Sequence, residues 1–214
     1  MTLKETLYKN ALKAIEEIYV NSKYDPDVDL YRSFDIMNSV NENQIKNKEW
    51  LVDTLLPYID QDKLKHVVIL GSWYGLLSVM LQPKLSSDIE IRNVDSDKQT
   101  LMFGRKLIQD MDVDNIVFEE DDAGEYFFEK SDKFQLIINT SCEHMEQDDL
   151  SLIISMKPRD TLICFQGNNY DSIQSHINTH DSLESFVDSL GLYKVYHSET
   201  LEMENYNRYM VIGI

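Results

Sequence analysis

Short apolar runs of strand length, each followed by a helix-like segment, constrain this chain more than any other feature. His66-Val-Val-Ile-Leu70 is continuous and apolar, as a strand covered on both faces must be. Gly71–Gly75 then supplies a turn, and Leu76–Leu81 opens a helix. The pattern repeats with strands at Ile89–Val94, Asn115–Glu119, Phe134–Asn139 and Thr161–Gln166. Helices are expected at Asp97–Met111, near Gly124–Glu129, and at Ser182–Leu190, where Gly191 ends the last one. Such alternation implies a parallel sheet with helices on both faces. Tyr193–Glu202 and Tyr209–Ile214 are close enough to pair as an antiparallel hairpin at the C-terminus.

The first 63 residues read differently. Leu3, Leu7, Ala11, Ile15 and Ile18 recur at helical spacing through Thr2–Val20, and Thr2 with Glu5 forms a capping-box signature. Asn21–Asp29 reads as an acidic loop, and Asn43–Leu56 as a second helix ended by Pro57. The expected organisation is a helical segment, 1–63, packed on an α/β core, 64–214. A Rossmann-like, mostly parallel sheet of this kind binds ligands beyond the carboxyl ends of its strands.

Composition narrows the function. Asp and Glu number 38 against 20 Lys and Arg, a net charge of −18. That surface repels polyanions, and no basic block offsets it, so nucleic acid is disfavoured as a partner. Cys142 and Cys164 are too few for a disulfide framework, and no zinc-ligand spacing appears. The N-terminus is not a signal peptide and no apolar stretch approaches bilayer-spanning length, so a soluble cytoplasmic protein is expected.

Four motifs fall at strand ends. Gly71-Ser72-Trp73-Tyr74-Gly75 permits close backbone approach to a ligand, or is simply a tight turn. Asp95 can accept hydrogen bonds from both ribose hydroxyls of a nucleoside, at the expected spacing of about 20 residues from the glycine turn. Its competing role is a cap on the following helix, shared with Ser96. Asp122 with the Ala123 amide can meet an adenine ring, or can be an acidic helix cap. Asn139-Thr140-Ser141-Cys142-Glu143-His144 brings small polar groups to the end of the fourth strand. There His144 or Glu143 is suited to accept a substrate proton, or to pack structurally.

Taken in order, these motifs resemble class I S-adenosylmethionine-dependent methyltransferases over roughly Leu64–Ile214. The resemblance implies a seven-stranded sheet and S-adenosylmethionine as cofactor. Gly71, Ser72, Trp73 and Gly75 would lie along its methionine part, Asp95 on its ribose, and Asp122 and Ala123 on its adenine. Asn139 and Thr140 would flank the transferred methyl. Glu143-His144 is similar to a Glu-His pair of small-molecule members, which makes these two the expected catalytic residues. Gln44, Lys48 and Trp50 of the second helix are expected to close over the pocket. The acceptor would be an oxygen or nitrogen of a small molecule or a protein side chain. Ile69 stands where the family usually has an acid, and Trp73 where it usually has a glycine. The indole of Trp73 must therefore either wall the pocket or fill it. A filled pocket would make the chain a catalytically silent scaffold; an open one also admits non-methylating use of the same cofactor. No Gly-x-Gly-x-x-Gly follows the first strand, which argues against a nicotinamide dehydrogenase.

Overall fold

The structure is a computed structural model that describes residues 2–24, 30–111, 113–130 and 133–214. Its centre is a seven-stranded sheet: β1 (His66–Leu70), β2 (Glu90–Asp95), β3 (Ile116–Glu120), β4 (Leu136–Asn139), β5 (Leu162–Asn168), β6 (Val195–Glu202) and β7 (Asn207–Gly213). The order across the sheet is β3-β2-β1-β4-β5-β7-β6. The first five strands are parallel, while β7 runs antiparallel to both β5 and β6. The fold is thus the expected α/β Rossmann-like one, C-terminal hairpin included.

Among the described residues eight α-helices surround the sheet: α1 (Leu3–Asn21), α2 (Tyr31–Ser39), α3 (Glu42–Leu55), α4 (Leu76–Leu81), α5 (Lys98–Ile108), α6 (Ala123–Lys130), α7 (Gln147–Met156) and α8 (Leu183–Leu190). The capping box on α1 forms as expected, with the Thr2 hydroxyl accepting from Glu5 N–H and the Glu5 carboxylate accepting from Thr2 N–H. Gly191 ends α8 at φ +57°. The sequence reading missed α2 and α7. Of the expected loop at 21–29, Asn21 belongs to α1, and residues 25–29 lie outside the described residues.

The continuous apolar strands are explained by the two layers they separate. Val67 and Ile69 point to one face, against Leu51, Val52 and Leu55 of α3 and Leu77 and Leu81 of α4. Val68 and Leu70 point to the other, among Tyr126 and Phe127 of α6, Ile153 of α7 and Phe186 of α8. Fully buried side chains of this size contribute roughly 1.5–3 kcal/mol each, so neither face of β1 tolerates a polar residue cheaply. A third cluster joins α1 and α2 to α5 through Leu7, Ala11, Ile36, Leu101 and Leu107. No helix among the described residues is long and apolar enough to cross a membrane.

Candidate functional site

β1 lies between β2 and β4, and the connections from these strands leave in opposite directions. This is the switch point of the sheet, where a crevice must open beyond the strand ends. A cavity of about 770 Å³ sits there. The turns after β1, β2, β3 and β4 line it, with α2 and α3 from the N-terminal helices, the segment after β5, and Tyr206 and Arg208. Its volume is in the range of sites that hold a cofactor or drug-sized ligand.

The first wall is the β1–α4 turn. Gly71 has φ +60° and Gly75 φ +73°, the left-handed region that glycine enters without strain. A Cβ on Gly71 would stand 2.4 Å from Ser141 Oγ, so the β1 and β4 turns touch at this point only because residue 71 has no side chain. Ser72 N–H donates to Val94 O at 3.0 Å, while its hydroxyl is buried with no partner among the described residues. Trp73 is also left-handed, at φ +53°, a conformation that costs a non-glycine residue about 1–2 kcal/mol.

The cost at Trp73 is met by interactions at both ends of the residue. Its backbone N–H donates to Asp95 Oδ2 at 2.8 Å, and its indole N–H donates to Asp35 Oδ2 at 3.2 Å. Tyr74 donates to the same Asp35 oxygen at 2.7 Å. Arg32 bridges Asp35 to Asp97 at the start of α5, at 3.5 Å and 2.8 Å. The indole therefore turns toward α2 and forms part of the cavity wall.

Asp95 ends β2 and faces the cavity. Its two oxygens accept from Trp73 N–H and from Asp97 N–H at 3.0 Å, which orients the carboxylate and leaves lone pairs for a ligand. Burial raises its pKa against the effect of these donors. The cap on α5 is Asp97, whose side chain accepts from Gln99 and Thr100 N–H; neither Asp95 nor Ser96 holds that place. Asp122 lines the cavity beside Ala123, and one of its oxygens caps α6 by accepting from Gly124 and Glu125 N–H.

The β4 end departs from the sequence reading at two residues. Asn139 does not line the cavity; it is fully buried, and its amide is spent on Ser141 N–H and Met145 Sδ, where it shapes the turn. Thr140 does line the cavity, and its carbonyl accepts from Arg208. Glu143 is not a free carboxylate. It pairs with Arg208 at 2.5 Å, both side chains being under a tenth exposed, and its second oxygen is buried without a partner among the described residues. Lys48, 6% exposed, lies near this pair and bonds to Gln44 Oε1 at 2.5 Å. Burial and the Arg208 charge lower its pKa to about 7, against the pull of Glu143. Gln44 and Lys48 reach the cavity as expected, whereas Trp50 donates instead to Glu199 of β6.

His144 is exposed on the cavity wall, with Nδ1 3.0 Å from Ser175 O. A carbonyl only accepts, so Nδ1 carries the proton of the neutral ring and the Nε2 lone pair is free. Desolvation, with His176 nearby, lowers the pKa of His144 and favours this neutral form. The sequence reading missed Asp35, His176 and Arg208. Each lies far in sequence from the strand-end motifs, and only packing brings it to the cavity.

No family model matches the sequence. No curated protein matches it either. Solved structures do match in shape. The N-methyltransferase NodS from Bradyrhizobium japonicum WM9 is 10% identical, with TM-score 0.62 over 82% of this chain and 97% of that one. Geranyl diphosphate methyltransferase in complex with GPP and sinefungin is 12% identical, with TM-score 0.63 over 79% and 78%. A mutant of MtNAS in complex with S-adenosylmethionine is 12% identical, with TM-score 0.61 over 98% and 72%. With the strand order, these matches show the class I S-adenosylmethionine-dependent methyltransferase fold.

Proposed function

We propose that this chain is an S-adenosylmethionine-dependent methyltransferase acting on an oxygen or nitrogen of a small molecule. The observation that carries the reading is the open cavity at the switch point, with Asp95 held toward it by two backbone N–H groups and the indole of Trp73 drawn aside to Asp35. A silent scaffold would need that indole inside the cavity.

The residues fit the cofactor. The unpartnered Ser72 hydroxyl and the left-handed backbone of the β1–α4 turn suit its amino-acid part. Asp95 suits the ribose hydroxyls, and the turn from Asp121 to Ala123 suits the adenine. Bound S-adenosylmethionine supplies a methyl group already activated by its sulfonium. The protein then has to hold the acceptor in line with that methyl and remove the acceptor's proton.

We assign the acceptor to the other end of the cavity, between the β4 turn, the segment after β5, and β7. Nε2 of His144 offers a free lone pair there, and we assign it the acceptor's proton. Glu143 has a different role: it holds Arg208, which also binds Thr140 O and so fixes the β4 turn beside the methyl position. The size of the cavity and the small-molecule complex among the structural neighbours support a small acceptor.

Calorimetric titration with S-adenosylmethionine tests the reading. Single-site binding is expected, weakened at least about 100-fold in Asp95→Ala by loss of a charge-assisted hydrogen-bond acceptor pair. Absence of binding at millimolar cofactor in a folded protein overturns it.

A further inference from the structure

Two histidines and a glutamate converge at the acceptor end of the cavity. One ligand atom from each of Glu143, His144 and His176 lies within 4.8 Å of the others. The rings of His144 and His176 meet edge to face at 4.6 Å between centroids. From the sequence the trio is invisible, because His176 is in the segment after β5 and no ligand spacing links it to Glu143-His144.

Three further observations give the cluster the character of a site. Nδ1 of His144 faces Ser175 O, and Nδ1 of His176 faces Tyr170 O. In its neutral form each ring therefore donates through Nδ1 and presents an unprotonated Nε2. Histidines that bind metals are oriented in this way, with the second nitrogen donating to a backbone carbonyl. The third observation is Glu143. Arg208 occupies one of its oxygens, and the other is buried with no partner among the described residues, in a residue only 4% exposed. A buried carboxylate oxygen without a partner is costly, and an ion would remove the cost.

We propose that Glu143, His144 and His176 bind a divalent first-row transition-metal ion at the acceptor end of the cavity. Two imidazoles and one carboxylate suit zinc, iron or manganese and leave coordination positions for a ligand from the cavity. Metal–ligand bonds of about 2.0–2.2 Å place the donor atoms of a tetrahedral site about 3.3 Å apart, so side-chain rotations that draw the trio together complete the site. An acceptor hydroxyl or amine on the open position would lose its proton more readily. With the ion present the Nε2 lone pair of His144 is a ligand; without it, the same lone pair accepts the proton. The place of the ion in a reaction rests on the methyltransferase reading, whereas its binding does not.

Stripped full-length protein, titrated with Zn²⁺ and separately with Mn²⁺ against a chromophoric chelator and without S-adenosylmethionine, tests the site. A single equivalent should bind at micromolar concentration or tighter. His176→Ala should weaken binding at least about 100-fold, while His197→Ala, on β6, should leave it unchanged. The X-ray absorption spectrum of the zinc form should show two imidazoles. His144→Ala serves in the same way if the His176 variant fails to fold by circular dichroism. Absence of a stoichiometric site, equal affinity in the ligand variant, or a spectrum without imidazole overturns the proposal. Metal binding without S-adenosylmethionine binding would leave this site standing and remove the methyltransferase reading; the converse result would do the reverse.

Discussion

Replacing Lys48 by Met should stabilise the protein, by an amount that depends on pH. Lys48 is 6% exposed, and among the described residues its ammonium bonds only to neutral Gln44. Arg208 lies close enough to oppose its charge, and Glu143, already committed to Arg208, offsets this in part. The pKa falls from 10.5 to about 7. Between those values the unfolded chain binds the proton that the folded chain rejects, so stability rises with pH across the window and the folding penalty is greatest below it. At about 1.4 kcal/mol per unit, the penalty approaches about 5 kcal/mol in acid, is about 4 kcal/mol at pH 7 and falls to about 2 kcal/mol at pH 9. Methionine carries no charge and fills a similar volume; it forfeits one hydrogen bond, worth about 0.5–1.5 kcal/mol. The variant should therefore gain stability at pH 7, and its advantage should shrink by about 2 kcal/mol by pH 9. Urea denaturation of both proteins at each pH measures this. The difference between the two pH values is the sharper quantity, because pH-independent packing effects cancel from it. A stability difference that stays constant from pH 7 to 9, or grows, would refute the argument.

Gly71→Ala should cost at least about 1–3 kcal/mol, from left-handed strain and the 2.4 Å approach to Ser141 Oγ; thermal melting reads the loss and calorimetry the accompanying loss of cofactor affinity. In the metal-free protein, the acid limb of kcat/KM should lie below the ordinary histidine value of 6.5, because desolvation within the cavity disfavours the charged His144 ring. His144→Ala should abolish that limb and lower kcat about 10²–10⁴-fold with cofactor affinity unchanged, and a variant of wild-type rate would remove His144 from the mechanism.

The sheet was legible because its strands are buried on both faces, and burial writes continuous apolar runs into the sequence at β1 and β4. Helices that bury little leave weaker marks. Only Ile36 and Ser39 of α2 are buried, and its N-cap has no side-chain bond, so neither periodicity nor capping announced it. The part of the cavity wall that we propose for the cofactor was legible for a related reason: Gly71, Asp95 and Ala123 all sit at strand ends, where backbone geometry restricts residue type. Asn139 and Glu143 misled the reading because strand-end position says nothing about which neighbour a polar side chain will find. Met145 and Ser141 took the first, and Arg208 the second. Arg208 and His176 come from the far side of the chain, and pairings of that kind are set by tertiary packing alone.

The carboxylate of Asp35 gathers the indole of Trp73, the phenol of Tyr74 and the guanidinium of Arg32 onto one helix outside the sheet. The β1–α4 turn is thus not self-supporting: part of its scaffolding is lent by the chain that precedes the sheet. Grafting the sheet and its turns onto another N-terminal segment would leave residue 73 in an unfavourable backbone well with nothing to hold its ring aside. Any attempt to recombine this core with a different cap has to carry Asp35 along.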